Sequence, residues 1–153
     1  MSNKIIMPII VVFFIITVLI LVSCEKNVEK SIDTKEVATI DNPVISPSGK
    51  YQLKVIEETI DGVEHNKFAI FKVLNSYIES EATFVSCDAY RTRDTLYFVW
   101  DDKDRVWVYS GDLGTFFWEH VSDNEWEKRS FADNRSVPVP SLLKQLKPGH
   151  YEN

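Results

Sequence analysis

Residues 51–73 read YQLKVIEETIDGVEHNKFAIFKV, with apolar and polar side chains alternating on either side of Asp61-Gly62. A period of two indicates half-buried strands, and Asp-Gly is among the strongest short signals for a two-residue hairpin turn. That turn places Leu53 opposite Ile70, on a face that is mostly apolar, and leaves the other face half polar. We therefore expect an antiparallel hairpin that covers a core on one side only.

The second half of the chain predicts a meander. Its expected strands are Thr95 to Trp100, Arg105 to Ser110, Thr115 to Ser122 and Glu125 to Phe131, with loops at 101–104, 111–114 and 123–124. Pairing across these loops predicts Trp107 between Phe98 and Trp118 in an aromatic layer. Both faces of this sheet are largely apolar, so it needs cover on each side. The hairpin can supply one cover, and a tail whose helix is capped by Ser141 can supply part of the other.

The expected fold is mainly β, an antiparallel meander of about seven strands packed as a small sandwich or a strongly twisted sheet, with a short C-terminal helix. One of the seven strands is expected from Tyr77 to Cys87. The expected divisions of the chain are a signal segment at 1–23, a flexible tether at 24–43, the β domain at 44–136 and a tail with the helix at 137–153. A short helix around residues 28–37 is the competing interpretation of the tether.

An apolar run opens the chain and ends at a cysteine. Lys4 precedes Ile5 to Val22, which carry no charge, and Ser23 and Cys24 follow. This organisation is typical of a secretory segment. The tetrapeptide Leu21-Val22-Ser23-Cys24 resembles the lipobox of bacterial lipoproteins, while the domain that follows is not recognised as a member of a known family.

The resemblance implies that the chain is cut before Cys24 and that its thiol carries a diacylglyceryl group. Further acylation, with chains such as palmitate, would then hold the protein stably, since one chain alone gives only marginal binding. The membrane is thus the first expected partner. The alternative is that residues 5–22 remain as an uncleaved anchor. Both readings place the domain on the extracytoplasmic face, on the periplasmic side or the cell surface.

The chain is acidic, with 17 Lys and Arg against 23 Asp and Glu and a net charge of −6. Loss of residues 1–23 removes Lys4 and brings the balance to −7. This charge argues against a nucleic-acid partner. If Cys24 is acylated, Cys87 has no partner for an intrachain disulfide, and we expect it to be a small core residue.

Motifs for catalysis are not found. His65, His120 and His150 lack the spacing of a zinc helix, and residues 101–104 place a lysine where a calcium loop needs oxygen ligands. No serine lies in a nucleophile-elbow pattern. We therefore expect no metal, no cofactor, no catalytic residues and no enzymatic activity.

One group of residues remains as a candidate binding site. In the expected register Trp100, Arg105, His120 and Glu127 lie level on one face, at the end of the sheet beside residues 101–104. An indole, a guanidinium, an imidazole and a carboxylate there could hold a peptide terminus or a sugar. The alternative is ordinary packing, in which Arg105 stacks on Trp100 and pairs with Glu127.

Two functions are compatible with these features. The first is a membrane-anchored binding or accessory module of the bacterial cell envelope, with a protein or a cell-wall component as its partner. The second is an inhibitor or immunity lipoprotein, whose acidic surface neutralises a basic enzyme or toxin by electrostatic attraction.

Overall fold

The computed structural model describes residues 34–122 and 124–152. The predicted signal segment, the lipobox-like tetrapeptide with Cys24, and the tether up to residue 33 lie outside the described residues. Within the described residues, no helix combines the length and the apolar character needed to cross a bilayer.

Strands dominate the described residues, which contain eleven of them and one α-helix. The strands are β1 (Val37–Ala38), β2 (Val44–Ile45), β3 (Tyr51–Ile60), β4 (Val63–Leu74), β5 (Tyr77–Ile78), β6 (Phe84–Val85), β7 (Tyr90–Arg91), β8 (Leu96–Trp100), β9 (Val106–Ser110), β10 (Gly114–Ser122) and β11 (Glu125–Ser130). The helix α1 spans Ser141–Leu146, and 3₁₀ turns lie at Thr34–Glu36 and Phe131–Asp133. The mainly β prediction with a short C-terminal helix is confirmed, and the additional strands are pairings of two residues.

The strands form two antiparallel sheets. Sheet 1 has the order β1-β8-β9-β10-β11, and sheet 2 has the order β2-β3-β4-β5, with β6 and β7 also paired to β4. Buried side chains of both sheets make one apolar cluster, in which Phe68 of β4 contacts Phe98 and Trp118 of sheet 1. The two sheets therefore pack face to face as a small sandwich.

The β3–β4 hairpin has the predicted register. Leu53 pairs with Ile70 and the chain turns at Asp61-Gly62, where both residues adopt positive φ angles of 51° and 77°. Those angles are typical of the type I′ turn that suits the twist of a hairpin. The inward side chains of the hairpin are the most deeply buried part of sheet 2: Leu53, Val55, Phe68 and Ile70.

The expected strand from Tyr77 to Cys87 is instead two short pairings, β5 and β6, and β7 is a third pairing with β4. The chain turns after β6 because the Ser86 hydroxyl accepts a hydrogen bond from the Asp88 amide and donates one to the Asp88 carbonyl. Ser86 takes the buried position and Cys87 is exposed. The prediction of Cys87 as a core residue is therefore wrong.

The predicted tether extends too far. Val37 and Ala38 form β1 at the edge of sheet 1, opposite Val99 and Phe98, and both are buried. The side chain of Asn42 donates hydrogen bonds to the carbonyls of residues 35 and 37, which ties the following turn back onto the strand. Residues 34–43 thus belong to the folded domain, and the competing helix does not extend to residue 37.

The bounds of the meander strands agree with prediction to within a residue, but their register differs. Trp107 pairs with Val99 and Phe117, rather than with Phe98 and Trp118. A shift of one residue turns every side chain of a strand to the opposite face. The β8–β9 and β9–β10 pairings are shifted by one residue in opposite directions, so β9 is reversed and β10 again presents the predicted face. The β10–β11 pairing is also shifted, so β11 is reversed.

The first loop explains one of these shifts. It has three residues, 102–104, because the Asp101 amide donates to the Arg105 carbonyl at 3.0 Å and the Asp104 amide donates to the Asp101 carbonyl at 3.2 Å. Asp104 has a φ of 58°. A type I turn followed by a left-handed residue is the usual geometry of a three-residue hairpin loop. The four-residue loop predicted from the sequence, 101–104, is one residue too long to give this pairing.

The last hairpin shifts for a different reason. Ser122 pairs with Glu125, as a two-residue loop requires, but the register slips between His120 and Ser122. This slip is a bulge at Val121, which is exposed. A bulge adds one residue to one strand and so reverses the rest of β11 relative to the prediction.

Reversal of β9 places Trp107 in a second core, on the outer face of sheet 1. Its side chain is 0% exposed and stacks on Phe117, with ring centroids 4.9 Å apart. Leu142 and Leu143 of α1 close this core. The tail therefore covers the sheet as expected, although Ser141 is the first helical residue and Pro140 takes the cap position.

We predict that Tyr90→Phe leaves the protein at least as stable at pH 7 and more stable than the parent at high pH. The Tyr90 hydroxyl is buried without a hydrogen-bond partner among the described residues. Burial, and then the charge of Asp88, raise the pKa of Tyr90 well above its ordinary value. In the unfolded chain this tyrosine ionises near pH 10, while in the folded protein it stays neutral to higher pH. It therefore lowers the free energy of unfolding by about 1.4 kcal/mol for each pH unit above 10.

The free energy of unfolding in urea, measured at pH 7 and pH 11, tests this prediction. Tyr77→Phe is the control, because Tyr77 is exposed. A loss of more than about 1 kcal/mol at pH 7 in Tyr90→Phe would mean that the hydroxyl has a partner and would contradict the prediction.

Candidate functional site

The four residues of the predicted site do not share one face. Trp100 and His120 lie on the side of sheet 1 that packs against sheet 2. Arg105 and Glu127 lie on the opposite side, because β9 and β11 are reversed. The predicted arrangement on a single face is therefore wrong.

A buried carboxylate organises the loop between β8 and β9. Asp101 Oδ1 accepts the amides of Lys103 and Arg105, both at 2.9 Å. Asp101 Oδ2 accepts Arg105 Nε at 2.6 Å and Trp107 Nε1 at 2.8 Å. Asp101 is only 5% exposed and Arg105 only 9%. Four donors to one carboxylate offset much of the cost of burying this charge.

Arg105 is held by this carboxylate and by aromatic rings. Its guanidinium carbon lies 5.9 Å from the Trp107 ring centroid and 5.4 Å from that of Phe117. The ordinary packing expected for Arg105 therefore exists with different partners, since it involves neither Trp100 nor Glu127. Arg105 supports the fold.

Glu127 belongs to an exposed ionic cluster. Arg129 Nη2 donates to Glu127 at 2.8 Å, and Arg129 Nε donates to Glu119. The hydrogen bond to Glu119, followed by the charge of Glu127, raises the pKa of Arg129 above its ordinary value. Glu119 and Glu127 are direct cross-strand partners, so Arg129 relieves the repulsion of two like charges.

Trp100 and His120 belong to an aromatic cluster between the sheets. Trp100 Nε1 donates to the Val44 carbonyl at 3.0 Å, and its ring stacks near Tyr51. The His120 ring lies 5.7 Å from that of Tyr51 and 5.3 Å from that of Trp126. Of the four predicted residues, His120 is the one that is both exposed and in contact with this cluster.

A groove of about 430 Å³ opens beside this cluster. Arg105 and His120 of the predicted site line it, together with Lys50, Tyr51, Lys103, Asp104 and Glu119. The start of β3, the loop after β8 and the end of β10 meet here. We take this groove as the candidate functional site.

The groove has local positive charge on an acidic protein. Of its two carboxylates, Glu119 is ion-paired with Arg129, while Asp104 keeps its charge and accepts the Ser48 amide at 3.1 Å, so that Lys50 and Lys103 outnumber it. No carboxylate among the described residues lies within 4.0 Å of the ammonium groups of Lys50 and Lys103. Two ammonium groups beside an aromatic wall suit a ligand that carries a carboxylate, such as a peptide terminus or an acidic sugar.

Sequence reasoning did not find Lys50 or Tyr51. They reach the groove because the Ser48 amide binds Asp104, a contact between residues 56 positions apart. The turn at Ser46 to Gly49 signals only that a strand follows. Nothing local indicates that this strand starts beside the β8–β9 loop.

No group of three or more His, Cys, Asp or Glu side chains that could hold a metal ion occurs in the part of the chain that the structure describes. Comparison with known proteins found no family model, no curated protein and no solved structure that matches this chain. The groove and its chemistry therefore carry the functional argument for the domain.

We predict that Asp101→Asn lowers the free energy of unfolding by about 3–5 kcal/mol, because it leaves the buried Arg105 without its counter-ion. Trp107→Phe should cost less, since it removes one hydrogen bond and keeps an aromatic ring. Asp102→Asn is the matched control in the same loop, because Asp102 is exposed, and it should change stability by less than about 0.5 kcal/mol. Urea unfolding measures all three, and equal effects of the two Asp→Asn changes would refute the role of Asp101.

Proposed function

We propose that this protein is a lipoprotein of the bacterial cell envelope, anchored by lipid at Cys24 and displayed on the extracytoplasmic face of the membrane. The observation that carries the proposal is the tetrapeptide Leu21-Val22-Ser23-Cys24 at the end of the uncharged run 5–22. The residues that the structure describes begin at Thr34, ten positions after the cysteine, and form a small folded domain. This order favours a compact module that follows the lipid attachment site.

The anchored domain acts in this proposal as a binding or accessory module. The groove at Lys50, Lys103 and His120 supports this role, because it is open to solvent and combines positive charge with an aromatic wall. Its partner is a protein or a cell-wall component that presents a carboxylate. Arg105 contributes through the shape of the loop rather than as a free contact, since its guanidinium is bound to Asp101.

A second candidate function is an inhibitor or immunity lipoprotein, and the observation that supports it is the excess of acidic side chains. Beyond residue 23 the chain carries 16 basic and 23 acidic side chains. A basic enzyme or toxin would be attracted by this charge over the whole surface rather than at one groove. The Debye length is about 5–6 Å at 0.3 M salt, so such an attraction should be largely lost there.

For the anchor, we predict that Cys24→Ala abolishes incorporation of labelled palmitate and leaves an unprocessed precursor. The physical reason is that only the thiolate of this cysteine can accept the diacylglyceryl group before cleavage. Cys87→Ala is the control and should keep full labelling. Equal labelling of Cys24→Ala and the parent chain would remove the anchor from the proposal.

For the groove, we predict that Lys50→Ala with Lys103→Ala abolishes recovery of the partner by crosslinking from intact membranes. Both ammonium groups are exposed, so the free energy of unfolding should change by less than about 0.5 kcal/mol. Lys54→Ala with Lys144→Ala removes the same charge from exposed positions outside the groove and should keep the partner. Recovery that survives the groove changes but is lost above about 0.3 M salt would favour the inhibitor instead.

A further inference from the structure

A second hollow, of about 510 Å³, lies at the other end of β3, beside the turn at Asp61-Gly62. Its lining residues are Ile60, Asp61, Val63, His65, Arg91 and Arg93. Tyr51, at the groove, and Ile60, at this hollow, are the two ends of β3 and are about 30 Å apart along the strand. The hollow is therefore a separate site.

Strand pairing places Ile60, Val63, His65 and Arg91 on one face of sheet 2, while Asp61 and Arg93 lie in the adjoining turns. Ile60 pairs with Val63, and His65 pairs with Arg91. Directly paired residues point to the same side of a sheet, and side chains two positions apart share that side. This face is the outer one, since the alternate residues of β3 and β4 fill the core.

The backbone around the two arginines is fixed. The amide and the hydroxyl of Thr92 both donate to the Glu64 carbonyl, at 3.1 and 3.2 Å. The Asp94 amide donates to the Arg91 carbonyl at 3.1 Å and closes the turn that follows. Arg91 and Arg93 therefore flank Thr92, whose hydrogen bonds attach this segment to β4.

The positive charge of the hollow is only weakly compensated. Arg93 has a side chain 73% exposed, and its Nε is 4.0 Å from Asp94, the limit of an ion pair. Arg91 is exposed and makes no ion pair within the described ranges. Glu58, on the same face, is bound to Lys67 at 2.7 Å. Asp61 is the one carboxylate in the lining.

His65 and two aliphatic side chains complete the site. His65 Nδ1 donates to the Val63 carbonyl at 2.9 Å, which orients the ring. Ile60 and Val63 are 40% and 47% exposed, and as direct cross-strand partners they form an apolar ledge beside the cations. A ledge of this kind favours a ligand that has an apolar body as well as an anionic group.

We propose that this hollow binds a phosphate group carried on an apolar body. The guanidinium groups of Arg91 and Arg93 hold the phosphate oxygens, for which their planar, forked donors are well suited. The apolar body lies over Ile60 and Val63. The phosphate belongs either to a phospholipid headgroup or to a free phosphate ester. This inference rests on the described domain alone and is independent of the lipid at Cys24.

The test uses the full chain in nonionic detergent, with inorganic phosphate and hexyl phosphate as probes at constant ionic strength. We expect hexyl phosphate to bind more tightly than inorganic phosphate. Arg91→Ala with Arg93→Ala should raise both dissociation constants about tenfold or more, because each charge-assisted contact is lost. Val63→Ser should weaken hexyl phosphate severalfold and leave inorganic phosphate unchanged.

Lys54→Ala with Lys144→Ala is the control for the loss of two charges and should keep both affinities. The melting temperature without phosphate checks that each variant is folded. Absence of binding to the parent chain, or equal weakening in the arginine and lysine variants, would overturn the proposal.

A second measurement identifies the source of the phosphate. The full chain is placed in vesicles of phosphatidylglycerol or of phosphatidylcholine, and hydrogen exchange is followed at residues 60–65 and 91–93. Protection that appears only with phosphatidylglycerol, and is lost in the arginine variant, assigns a lipid headgroup. Equal exchange in the two vesicles, together with binding of hexyl phosphate, assigns a free ester.

Discussion

The Asp101 carboxylate determines the geometry on which sheet 1 depends. It accepts the amides of Lys103 and Arg105, which fixes the loop between Asp101 and Arg105 at three residues, and it accepts side-chain donors from Arg105 and Trp107. The loop length sets the register of β9, and the register decides which face Trp107 occupies. One buried carboxylate therefore determines the loop length, the register of β9 and the position of Trp107 in the outer core. The four hydrogen bonds that it accepts also offset the free-energy cost of burying its charge.

Sheet 1 needs two covers because both of its faces are apolar. Trp118, on the inner face, packs on Phe68 of sheet 2, with ring centroids 4.9 Å apart. On the outer face Trp107 and Phe117 pack beneath Leu143 of α1. Sheet 2 is covered on its inner face only, which leaves its outer face partly polar and exposed. This asymmetry explains why the hollow lined by Arg91 and Arg93 is open on sheet 2, while the outer face of sheet 1 is covered by the tail.

The sequence was sufficient for the six strands of five or more residues and for one register, but not for the two-residue strands. Asp61-Gly62 is a turn whose two residues must both adopt positive φ, so the pairing of β3 with β4 follows from counting outward. The meander loops lack such a constraint. Asp104 takes a positive φ without being glycine, and the bulge at Val121 has no signal in the residues around it. The four residues of the predicted site lie on two faces for the same reason, because they were placed on one face by counting residues through these loops.

Net charge is a poor guide to the local charge on the surface of this protein. Many of its carboxylates are engaged within the fold, as at Asp101, in the cluster of Glu119 and Glu127 with Arg129, and in the ion pair of Asp88 with Lys128. Among the described residues, basic side chains without an ion pair lie at both ends of β3. They are Lys50 and Lys103 at one end and Arg91 at the other. Attraction at short range depends on these local charges, whereas the total of −6 acts at longer range and is screened by salt. An acidic chain can therefore repel anionic surfaces at a distance and still present local positive charge at each of the two ends of a single strand.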